Sequence, residues 1–237
     1  MTAWNGGGAS GITIDSDGEY SRSLSYPYIQ GAVIRDNLAE NVAVGGPGQP
    51  AFFNAYTASS AILLHNRAEN LPNATGIYRD TWNGTNVLIE GNVMDNVKYC
   101  IRFVMLHYHL NGVIIKNNVL RPAEHGFGIA YFTDASKFNL GKYDTNAFIT
   151  NLVIAGNVVY PSASAKDTTA LSIDGHASVS IVNNVLQGSG SGADLLVNYS
   201  IRTSAGGLYP RGLKLNSWSG NVRLDGGEFV TTNRIFR

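Results

Sequence analysis

The sequence predicts an all-β, single-domain solenoid whose short strands stack on their counterparts in the next repeat. Three observations carry this. First, a phrase of alternating apolar residues, two spacers and then Asn, usually followed by Val, recurs from end to end. It appears as Ala32-Val33-Ile34 before Asn37, Ala61-Ile62-Leu63 before Asn66, Val87-Leu88-Ile89 before Asn92, Val113-Ile114-Ile115 before Asn118, Leu152-Val153-Ile154 before Asn157 and Val179-Ser180-Ile181 before Asn184. The steps between these Asn residues are 29, 26, 26, 39 and 27, the period of a stacked repeat, which gives about eight turns over the chain. Second, another apolar segment precedes the phrase. Third, charged residues make up only 14% of the chain while Gly numbers 27, a balance that favours β-structure with tight turns.

The earlier segment of each copy begins at Gly11, Gly76, Cys100, Gly128, Ala170 or Asp194 and runs for about five residues. Hairpin partners would follow one another at roughly 8 to 12 residues, so these strands are expected to pair in parallel with the next copy at about 4.8 Å. Alternation sends Ile77, Ile101, Ile129 and Ile173 inward, and Tyr78, Asp80, Arg102 and Asp174 outward. In the Asn phrase the positions five and three before Asn face the core. The position between them forms an outward stripe of Val33, Ile62, Leu88, Ile114 and Val153, which is expected to meet a partner chain, a second copy or the chain's own insertions. The ladder Asn residues are expected to be structural, since Asn tolerates a left-handed backbone and its amide both donates and accepts.

These residues resemble the right-handed parallel β-helix of the pectate-lyase-like superfamily, over roughly residues 10 to 224, through the phrase Val-x-Ile-x-x-Asn-Val and its strand partner. The resemblance implies a lead-in at 1–9, a coil over 10–224 and a tail or cap at 225–237. It also implies a glycan groove on the outward face of the first-strand sheet and its flanking turns. Asp80, Arg102 and His107 are the catalytic candidates there, and Tyr78, Trp82, His109, Asp134, Lys137, Asp174 and His176 the substrate-binding ones. Asp80 and Arg102 lie one repeat apart, and Asp80 and Asp134 would stand on the order of 10 Å apart, near the separation of an inverting glycosidase.

Two functional classes follow: a polysaccharide lyase or glycoside hydrolase, or a non-enzymatic structural or receptor-binding coil such as a tailspike or adhesin segment. The expected setting is extracellular or virion-associated, with no targeting signal in this chain. A net charge of zero gives no basic surface for nucleic acid or anionic membrane, and no run approaches the ~18 apolar residues of a membrane span. No metal or cofactor pattern is present, and the lone Cys100 excludes an intramolecular disulfide.

Overall fold

A computed structural model of the chain describes residues 11–14, 31–41, 51–55, 60–80, 84–105, 109–131, 148–174, 177–198, 200–202, 208–210 and 213–234. These residues form an all-β structure dominated by two long parallel sheets, with no helix among them. The first sheet holds β1 (Ile12–Ile14), β4 (Ala51–Ala55), β6 (Arg67–Asp80), β8 (Val93–Met105), β10 (Val119–Tyr131), β13 (Thr169–Asp174), β16 (Leu195–Asn198) and β20 (Thr231–Arg234), in that order. Three short strands join its side: β3 (Leu38–Glu40), β12 (Val158–Val159) and β15 (Val185–Leu186). The second sheet runs through β2 (Val33–Arg35), β5 (Ile62–Leu64), β7 (Gly84–Glu90), β9 (His109–Lys116), β11 (Phe148–Ala155), β14 (Ala177–Val182) and β19 (Lys214–Ser219). A small antiparallel pair joins β17 (Ser200–Arg202) with β18 (Leu208–Pro210).

The repeat carries one more strand than the two read from the sequence. The residue after each ladder Asn, Leu38, Arg67 or a Val, opens a further extended segment, which in β6, β8 and β10 runs on into the first-sheet strand. β4 is also an unforeseen copy, with Phe53 in register with Ile12 and Ile77. Residues 225–237, expected to form a tail or cap, carry β20, which pairs in parallel with β16.

Alternation places the core as expected. Leu63, Ile89, Ile115, Leu152 and Ile154 point inward from the second sheet, and Ile77, Ile101, Phe103, Phe127 and Ile173 from the first. Together they form one apolar cluster, within which Phe103 and Phe127 meet edge to face at 5.6 Å. The inward side of β6 also holds an arginine: Arg79 is 1% exposed and in register with Phe103. The side chain of Ile129 lies outside the described residues.

At the turn the Asn side chains form a ladder. Each Nδ2 donates to the next Oδ1, from Asn37 to Asn66 at 2.8 Å, then to Asn92, Asn118, Asn157, Asn184 and finally Asn221, at 2.9 to 3.0 Å. The left-handed residue is the one before the ladder Asn, and not the expected ladder Asn itself. Asp36, His65, Gly91, Asn117, Gly156, Asn183 and Gly220 all have φ between 50° and 65°, with values of 57, 51, 64, 56, 64, 54 and 63. That division is physical: the preceding residue turns the chain, which leaves the Asn amide free to enter the buried ladder. Glycine recurs there for space as well, since a Cβ on Gly156 would come within 2.6 Å of Asn117 Oδ1.

Candidate functional site

The outward face of the first sheet gathers the polar side chains best placed for chemistry. Strand register sets Tyr78 of β6 beside Arg102 of β8, Arg102 beside Gly128 of β10, and Gly128 beside Ser172 of β13. Nearer the start of the same strands, Tyr99 and His125 stand in register, flanked by the buried Thr75 and Thr169. The rings of Tyr99 and His125 stack with centroids 5.2 Å apart and planes inclined by 19°. The Arg102 guanidinium lies 4.7 Å from the Tyr99 ring centroid, a cation-π contact that fixes both groups. Arg102 is 9% exposed.

Glu124 joins these groups into a network. Tyr99 Oη donates to Glu124 Oε1 at 2.9 Å, His125 Nε2 stands 3.6 Å from the same oxygen, and Lys98 Nζ is 3.5 Å from Oε2. Burial, and then the Glu124 carboxylate beside it, push the Tyr99 hydroxyl up to about 12. Tyr99 is therefore a proton-holding donor at neutral pH, and it is not a base. Its ring is engaged by Arg102 and His125, and the polar groups of the network are a phenol, a carboxylate, an imidazole and an ammonium group.

Of the residues expected at a site, the structure brings Tyr78 and Arg102 together. Asp80 does not face Arg102: its register partner is Val104, because Tyr78 takes the position across from Arg102. An offset of two residues, about 6.6 Å along the strand, adds to the interstrand spacing of about 4.8 Å and sets their backbones about 8 Å apart. The strand positions of His109 and Asp174 are described, in β9 against Phe148 and in β13 against Asn198, but the side chains of Asp80, His109 and Asp174 lie outside the described residues. So do Trp82, His107, Asp134, Lys137 and His176 altogether. Phe52 and Phe53, 6% and 2% exposed, belong to the core.

Lys98, Tyr99, Glu124 and His125 escaped the sequence reading, although a signal was present. Lys98 and Glu124 each follow a ladder Asn by six residues, and Tyr99 and His125 by seven, so aligning the copies on Asn92 and Asn118 superposes the pairs. Among the described residues no group of three or more His, Cys, Asp or Glu side chains is placed to hold a metal ion. Cys100 is fully buried, and burial raises its thiol well above the usual range, which leaves it unreactive. Compared with family models, curated proteins and solved structures, the chain matches none of them.

Proposed function

We propose that the chain is a right-handed parallel β-helix of the pectate-lyase-like kind, and that it is a carbohydrate-active protein, a polysaccharide lyase or glycoside hydrolase. The closed coil is supported by the shared core of the two parallel sheets and by the continuous Asn ladder. A carbohydrate role is supported chiefly by one observation: the Tyr78–Arg102 row and the Tyr99–Glu124–His125 network lie side by side on the outward face of one rigid sheet. Sugar hydroxyls need such a mixture of donors and acceptors held in fixed positions. Glu124, His125 and Asp80 are the groups among which the acid and base are sought, with Arg102 stabilising developing negative charge. The setting proposed for this activity is extracellular or virion-associated, with polysaccharide as partner.

Reducing-end and unsaturated-product assays across a panel of neutral and acidic polysaccharides test this. Turnover that falls at least about a hundredfold in Glu124→Gln, with the melting temperature retained, is the expected result. Absence of both turnover and glycan binding across the panel removes the reading.

A second reading, a non-enzymatic structural or receptor-binding coil, is favoured by the second sheet. Val33, Ile62, Leu88, Ile114 and Val153 stack in register, and Val33 and Ile114 are 50% and 39% exposed. Such an apolar stripe fits a partner chain or a second copy.

A further inference from the structure

The second sheet presents two columns of side chains on its outward face. One is the stripe from Val33 to Val153, continued by Ser180. The other, two residues further along each strand, is Arg35, Leu64, Glu90, Lys116, Ala155 and Val182. Eight of these twelve residues are apolar, yet none is buried: Val33 is 50% and Ile114 39% exposed, and the others are at least partly open to solvent. Such a face, about 24 Å long across six strands, forgoes the stabilisation that burial would supply. At its middle two opposite charges stand on neighbouring strands. Lys116 Nζ lies 3.2 Å from Glu90 Oε1, and the two side chains are 38% and 27% exposed.

That central pair selects what the face meets. Consider two copies placed face to face about a two-fold axis that runs parallel to the strands, midway between β7 and β9. Each copy's β7 then lies on the other's β9. Leu88 meets the partner's Ile114, Ile62 the partner's Val153, and Leu64 the partner's Ala155. Glu90 meets the partner's Lys116 and Lys116 the partner's Glu90, which makes a square of four alternating charges. An axis on β7 or on β9 would set Glu90 or Lys116 against itself. One between β9 and β11 would set both charges against the apolar Val182 and Ala155. We infer that the second sheet is the interface of a two-fold homodimer in the charge-matched register. The inference rests on the second reading above, the stripe as a contact surface, and commits that surface to a second copy. The face is small by the standard of stable interfaces, so the dimer is weak and transient.

Analytical ultracentrifugation of the full chain at concentrations up to about 0.5 mM tests this on wild type, Glu90→Lys and Lys116→Glu, with far-UV circular dichroism to check that each variant is folded. Wild type should approach twice the mass of one chain as its concentration rises. Each single variant meets like charges across the axis and should dimerise at least about tenfold more weakly. An equimolar mixture of the two variants is the sharpest arm. There the lysine introduced at position 90 meets the glutamate introduced at position 116 of the other chain, and the native Lys116 and Glu90 meet each other. The mixture should therefore dimerise about as well as wild type, although the pair within each chain is broken. Single variants that dimerise as wild type does, or a mixture no tighter than either variant alone, overturn the dimer. A wild type that stays monomeric throughout also overturns it, without recourse to any variant, and leaves the stripe as a contact surface for a chain of different sequence.

Discussion

Asn118→Ala should be among the most damaging single substitutions in this chain, and its cost can be worked from the ladder. Asn118 is 0% exposed. Its Oδ1 accepts from the Asn92 backbone N–H and from Asn92 Nδ2, both at 2.9 Å. Its Nδ2 donates to Ile89 O at 3.1 Å, Lys116 O at 3.0 Å and Asn157 Oδ1 at 2.9 Å. Alanine leaves the buried Asn92 N–H without its acceptor, at about 1–3 kcal/mol, and removes further hydrogen bonds worth about 1 kcal/mol each, some of whose partners have other bonds. The sum is about 4 kcal/mol. Asn37 begins the described ladder and is only partly buried; it donates to Arg35 O and Asn66 Oδ1, so Asn37→Ala should cost about 1 kcal/mol. Guanidinium unfolding followed by far-UV circular dichroism gives both midpoints. Equal losses in the two variants, or a loss below about 1 kcal/mol in Asn118→Ala, would refute the reasoning.

Three further outcomes are expected. Asp194, 1% exposed, accepts from the backbone of Gly188 and Val230 at 2.7 Å each and from Arg223 Nη1 at 2.8 Å, so Asp194→Ala should release β20 and sharply lower hydrogen-exchange protection at Leu195 and Val230; protection equal to wild type would count against this. Tyr99 keeps its proton up to about 12 when folded, against 10.0 ordinarily. Between those values the unfolded chain has lost the proton and the folded chain has not, so stability falls as pH rises; Tyr99→Phe should flatten that decline, and identical pH profiles would exclude it. Replacing Leu88 and Ile114 with Lys should lower the mass seen by light scattering if a second copy covers the stripe, whereas a double variant unchanged in both mass and melting temperature would show the stripe to be an open surface.

Much of the strand pattern was legible because each link is short-range and periodic. Core positions five and three before Asn follow from alternation alone, and so does the register of the outward stripe. What escaped has identifiable causes. The strand after each Asn is hidden because the chain turns at the residue before the Asn and continues extended, so that Val93–Met105 reads as a turn followed by one strand. Arg79 escaped because a charged residue on an inward position breaks the very rule used to find that face. The expected Asp80–Arg102 neighbour relation fails because Ile77 pairs with Ile101, which puts Tyr78 across from Arg102 and leaves Asp80 two residues further on, opposite Val104. A fixed repeat length does align Tyr99 with His125, where the sequence reading weighed single residues and not columns.

A crystal structure of the chain with a bound oligosaccharide tests the central claim most directly. The expected result is a glycan on the outward face of the first sheet beside Tyr78 and Arg102, with Glu124 or His125 hydrogen-bonded to its hydroxyls. A glycan seated on the second sheet, along Val33, Ile62, Leu88, Ile114 and Val153, would contradict it.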